Sequence, residues 1–117
     1  HTRSHCDWNS DVCSSNLWNA NMKNTNLSNA ILINANLSNA TLENANLIDT
    51  NLASADLSTA NLRNTLLVDT NLSNATLAGS DLTDAVLTGA ILTGADLEDA
   101  ILINAILNCV GHHICVS

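Results

Sequence analysis

Between Asn36 and Leu62 the chain runs NLSNATLENANLIDTNLASADLSTANL, and leucine returns at every fifth position. Counted from Leu17 in steps of five to Leu107, the series holds nineteen centres without an insertion, all Leu except Met22. Two residues before each centre stands Ala, Thr or Ser, with 13 Ala among the 19. Two residues after it, 16 of the 19 are Asn, Asp or Gly, the types that tolerate a left-handed backbone and mark turns. On an α-helix each residue advances about 100°, so a five-residue step scatters the leucines around the cylinder. On a strand an odd step throws successive leucines to opposite faces. A chain that turns a corner once per unit buries them all, if it coils and points each centre and each small residue inward. The pattern therefore predicts a solenoid.

The units AsnLeuSerAsnAla at 36–40 and AlaAspLeuSerThr at 55–59 resemble the pentapeptide-repeat family, over residues 15–109. That resemblance implies an all-β fold, a right-handed quadrilateral β-helix with four pentapeptides per coil. The Leu centres are similar to those of cyanobacterial and plastid members, while quinolone-resistance members carry central Phe, of which this chain has 0. Four units per coil set a 20-residue stacking interval, with neighbouring coils about 4.8 Å apart. At that interval Lys23, Glu43 and Arg63 fall in one outward file, predicting a ladder of alternating charge. The expected organisation is an N-terminal cap at 1–14, nineteen repeats at 15–109 and a C-terminal cap at 110–117. Both ends need covering, because a solenoid exposes its terminal coils.

Composition adds limits. Tyr and Pro are absent as well as Phe, and only 2 Trp occur, so no conventional aromatic-anchored core is available. The four cysteines, Cys6, Cys13, Cys109 and Cys115, lie only in the two end segments. With a coil stack between them, pairing across the ends is out of disulfide reach, so Cys6–Cys13 and Cys109–Cys115 are the expected bridges. Paired cysteines imply an extracytoplasmic oxidising compartment, a periplasm or thylakoid lumen. The chain opens on His rather than Met, as a mature chain after signal cleavage or a shortened one would. Within CysValGlyHisHisIleCys at 109–115, Cys109, His112, His113 and Cys115 are zinc-capable. Their crowding and the absence of finger spacings favour a disulfide loop, and no metal or other cofactor is expected.

Chemistry is otherwise sparse. All 4 His stand near the termini, no Gly-rich phosphate loop occurs, and outward polar groups on flat walls diverge where catalysis needs convergence. The chain is not expected to be an enzyme. A net charge of −8 disfavours nucleic acid as a ligand, and no apolar run is long enough to insert in a membrane. The acids suggest one alternative, mimicry of DNA to inhibit a type II topoisomerase such as gyrase, as in some members of the family the chain resembles. They are few and scattered, however, over Asp56 and Asp96, Asp81 and Asp84, and Asp49 and Asp69, with Glu98 and Asp99 near the C-terminal end.

A contrast between walls is more informative. Before the central Leu, one file reads Asn16, Asn36, Asp56, Thr76, Asp96 and is wholly polar; another carries Leu66, Val86 and Ile106, with Ile48 and Val68 beside it. An outward aliphatic strip can mark an interaction face. The expected protein is thus a non-catalytic structural or interaction module whose face at Ile48, Leu66, Val68, Val86 and Ile106 meets an unidentified protein or a second copy.

Overall fold

The computed structural model describes residues 16–116. Its chain winds into a four-sided, right-handed β-helix. Isolated parallel bridges join each outward position to the one 20 residues on, from Asn16↔Asn36 to Val86↔Ile106. Four walls result. Their inward rows are Leu17 to Leu97 (first wall), Met22 to Leu102 (second), Leu27 to Leu107 (third) and Leu32 to Leu92 (fourth), each in 20-residue steps. The third-wall row stacks Leu27, Leu47, Leu67 and Leu87 fully inside, with Leu107 half-buried at the open end.

The backbone explains the period. The Leu N–H and the N–H two residues on both donate to the coil above, as in Leu37 to Asp56 at 2.7 Å and Asn39 to Ser58 at 2.9 Å. The residue before Leu donates to the coil below, as in Thr41 to Ala20 at 2.9 Å. Each corner is a turn closed from the small residue back to the Leu carbonyl, Ala40 to Leu37 at 3.1 Å. Its third residue has positive φ at every unit from Asn19 to Asn104, including Ser54 (φ 60) and Thr59 (φ 55), the type II arrangement. Asn, Asp and Gly dominate there because the left-handed region costs them least.

The small residue faces the corner interior, where Ala30, Ala35, Ala40 and their successors are buried. Thr at this position is admitted by returning its hydroxyl to a carbonyl, Thr50 to Leu27 at 2.8 Å and Thr70 to Leu47 at 2.6 Å. Ser80 Oγ is buried without a partner among the described residues.

The last unit breaks the pattern. Leu107 to Cys109 makes no turn, and Val110 lies over Ile91 after 19 residues rather than 20. Val110 N–H donates to Ala90 at 2.9 Å and its carbonyl accepts from Leu92 at 2.8 Å. The chain then crosses back over the top. Cys109 and Cys115 are joined, with Cα atoms 5.0 Å apart, and Val116 N–H reaches Leu107 O at 2.7 Å. Ile114, Cys109 and Cys115 pack on the last core leucines. The segment 1–14 with Cys6 and Cys13 lies outside the described residues.

Candidate interaction surface

Each unit shows two outward positions, one on either side of the central Leu. The backbone sets different demands on them. The N–H of the residue after Leu is the one amide in the unit that neither coil-to-coil bonding nor the turn uses. Where the residue before Leu is Asn or Asp, its side-chain oxygen takes that N–H, at 3.0 to 3.2 Å. This occurs at all eleven such residues, Asn16, Asn21, Asn26, Asn36, Asn46, Asn51, Asp56, Asn61, Asn71, Asp81 and Asp96. This is an Asx turn built into a repeat. Ser38 and Ser58 add hydroxyl bonds to the same oxygens, at 2.8 and 2.5 Å.

The third wall abandons this device midway. Asn26 and Asn46 close onto Ser28 and Ile48, but Leu66, Val86 and Ile106 above them have no oxygen to offer Val68, Thr88 and Asn108. Leu66, Val86 and Ile106 are bridged in one file, Leu66 39% and Ile106 50% exposed. Ile48 and Val68 are half-buried beside it. The structure thus brings the five strip residues onto one wall. It also exposes aliphatics that the strip did not include, Ile91 and Val110 on the fourth wall and Ile101 and Ile103 on the second. The same positional contrast could have found Ile91, Ile101 and Ile103, each at an offset where other coils carry polar residues, but not Val110, which reaches its file through a span of 19 residues in place of 20.

Charges are arranged differently from the expected ladder. Lys23 Nζ lies 3.9 Å from Glu43, but Arg63 turns away from Glu43 and donates to Asp81 Oδ2 at 3.2 Å. Asp81, in the neighbouring outward file, is the better acceptor because its carboxylate is already oriented by the Thr83 N–H and hydroxyl, at 3.0 and 2.6 Å. The Thr83 hydroxyl, helped by the Thr83 N–H and the Arg63 guanidinium, holds the Asp81 carboxyl below its ordinary range against the opposing effect of burial. Asp81 therefore stabilises the fold above the usual carboxylate range and ceases to do so as pH falls through its depressed folded value.

Over the first wall the returning chain leaves a cleft of about 330 Å³ lined by Ala95, Asp96, Leu97, Glu98, His112, His113 and Ile114. The two imidazoles lie 4.5 Å apart at 32°. His112 Nδ1 accepts from Ile114 N–H at 3.3 Å, and Asp96 is bonded to its own loop at Glu98 N–H. Both thiols of the zinc-capable set are consumed in the disulfide, and among the described residues no three metal-ligating side chains converge. No helix among the described residues is long and apolar enough to cross a membrane.

Comparison with known proteins points one way. The model for pentapeptide repeats matches residues 9–44, 30–70 and 70–108, with 8 copies. No curated protein matches. Among solved structures the chain is similar to Rfr23, a pentapeptide repeat protein of the cyanobacterium Cyanothece 51142, at 44% identity over 79% of this chain, with a TM-score of 0.76. It spans 64% of that protein's length. A second, alr5209 of Nostoc Pcc 7120, is 33% identical over 73% of this chain and 78% of its own, with a TM-score of 0.64. QnrB1, a plasmid-mediated fluoroquinolone resistance protein, is 17% identical over 80% of this chain and 47% of its own, with a TM-score of 0.57. That last likeness is one of fold.

Proposed function

This chain belongs to the pentapeptide-repeat family, and from that membership we propose that it is a non-catalytic module that binds another protein through its third wall. The observation that carries this reading is the loss of the Asx turn at Leu66, Val86 and Ile106. A polar residue is accommodated at that offset throughout the first wall, with a hydrogen bond as the gain at Asn16, Asn36, Asp56 and Asp96. An aliphatic there forgoes the bond and leaves apolar area in water, which contact recovers at roughly 25 cal/mol per Å². Ile48 and Val68 widen the strip, and the Asn26 and Asn46 side supplies a polar rim. The area is modest, so the binding is weak or assisted by that rim.

The test is Leu66→Asp with Val86→Asp. The double variant should keep the parent circular dichroism and lose capture of protein from the host compartment; unchanged capture would sink the third-wall reading. The Cys109–Cys115 disulfide supports an oxidising location, a periplasm or thylakoid lumen. Thiol labelling of protein taken from its native source should find both bridges, Cys6–Cys13 included, closed. Residues 1–14 and 110–117 are read as caps on the repeats at 15–109. Gyrase-directed DNA mimicry has less behind it, because Asp56, Asp81 and Asp96 are tied into their own turns and are divided between two walls. Inhibition in a supercoiling assay would reverse that order.

A further inference from the structure

Each coil holds the next through two groups per wall, the carbonyl of the small residue and the N–H of the central Leu. On the fourth wall a single residue fills the last such pair: Val110 N–H donates to Ala90 O at 2.9 Å and Val110 O accepts from Leu92 N–H at 2.8 Å. Among the described residues the corresponding pair has no partner on the other three walls. These pairs are Ala95 O with Leu97 N–H, Ala100 O with Leu102 N–H, and Ala105 O with Leu107 N–H. What sets the first wall apart is its surroundings. There the returning chain arches over the rim, and His112, His113 and Ile114 line a cleft of about 330 Å³ together with Ala95 to Glu98. Asp96, Glu98 and His113 are exposed in it, while Leu97, His112 and Ile114 are half-buried.

We propose that this cleft binds an extended segment of another protein in which a basic residue is followed by an apolar one. The segment adds to the first wall as Val110 adds to the fourth, in parallel register. Main-chain bonds hold such an added strand, and the surroundings of its side chains select it. Its basic residue donates its N–H to Ala95 O and accepts Leu97 N–H at its carbonyl. In that register its side chain joins the outward file above Asp96, beside Glu98, where an opposite charge is favourable. The next residue turns inward, as the central residue of a unit does, onto Leu97 and Ile114. The cation has to come from outside this part of the chain. Both basic side chains among the described residues are already paired, Lys23 with Glu43 and Arg63 with Asp81. A net charge of −8 and acids gathered in a cleft draw cations in. Asp96 is set for the task, since the Glu98 N–H fixes one carboxylate oxygen at 3.0 Å and leaves the second for the ligand. The roof is fixed as well, because His112 Nδ1 accepts the Ile114 N–H at 3.3 Å. The same register would place the segment over Ile101 on the second wall and over Ile106 on the third, so a basic residue selects the first.

The experiment titrates the full chain with the peptide acetyl-Gly-Lys-Leu-Gly-amide and follows the amide resonances residue by residue. Leu97 N–H should shift to saturation while Leu102 and Leu107 N–H stay in place. Acetyl-Gly-Glu-Leu-Gly-amide should bind more weakly by roughly tenfold or more, because it sets like charges together. Asp96→Asn with Glu98→Gln should weaken the lysine peptide by a similar factor. Asn serves the same turn at Asn16 and Asn36, so that variant keeps the wall and removes only charge. Asp56→Asn, the same change two coils below, should bind as the parent does. So should the Leu66→Asp, Val86→Asp variant, which separates this cleft from the third-wall reading. Equal binding of the two peptides, shifts at Leu102 or Leu107 in place of Leu97, or no shift up to the solubility of the peptide overturns the proposal. Leu97 shifts that follow protein concentration without peptide would give the cleft to a second copy and overturn it too.

Discussion

The first and third walls are built from one plan and differ only outside. Inward, both present an unbroken row of leucines, with Leu57 and Leu67 each fully buried. Outward, the first wall carries Asn16, Asn36, Asp56, Thr76 and Asp96, four of which fold back on the amide two residues later. The third wall does so at Asn26 and Asn46 and then switches to aliphatics. The difference teaches that the inner row and the outer file are separate decisions. The coil requires the first and leaves the second open to other uses.

Three sets of variants sharpen or break that comparison. The largest effect is expected inside. Leu57→Ala and Leu67→Ala should each destabilise by about 2–5 kcal/mol and by similar amounts in denaturant unfolding. A much smaller loss at Leu67 would mean that the third wall is looser within as well as different without. Next come the corners. Gly79 on the first wall and Gly89 on the third both have positive φ, which costs an L-residue such as Ala about 1–2 kcal/mol. A Cβ at Gly79 would sit 3.3 Å from Thr59 Cγ2, whereas one at Gly89 would run into the Asp69 carboxylate. Gly89→Ala should therefore lower the melting temperature further than Gly79→Ala; the reverse order would show that the Asp69 carboxylate yields freely.

The smallest effect is an exchange of outer residues. Asp56→Leu removes the bonds to the Ser58 N–H and hydroxyl and should cost about 0.5–1.5 kcal/mol. Leu66→Asn gives the Val68 N–H an acceptor and should stabilise by a comparable or smaller amount while weakening third-wall binding. If Leu66→Asn destabilises, the aliphatic file is sheet packing in its own right and the contrast loses its functional meaning.

The coil, its period and the inward rows were legible because side-chain type repeats at fixed count. Positive φ was legible for the same reason, and the structure extends it to Ser54 and Thr59, where position overrides residue preference. The Asx turns were not. Asn and Asp before Leu look like ordinary solvated residues until the backbone shows that one amide per unit is otherwise unused. Arg63 was misassigned because vertical distance was counted and acceptor orientation was not; Asp81 is 18 residues away and already aligned. The strip at Leu66, Val86 and Ile106 was readable from position. The path of the returning chain after Val110 was not, because no periodic pattern encodes it.

The shortened corner before Val110 bears on how a gene for such a protein can change. Inward and outward are assigned by counting residues, so deleting one codon inside the column would turn every later leucine toward water unless a bulge absorbed the slip. Losses and gains that leave the fold whole come as entire coils of about twenty codons, the stacking interval seen in the bridges. At Cys109 a residue is missing from the count, and among the described residues no further coil stacks above it to suffer for it. Mutation can therefore edit the end of this molecule one residue at a time, but its middle only by duplication or excision of whole turns.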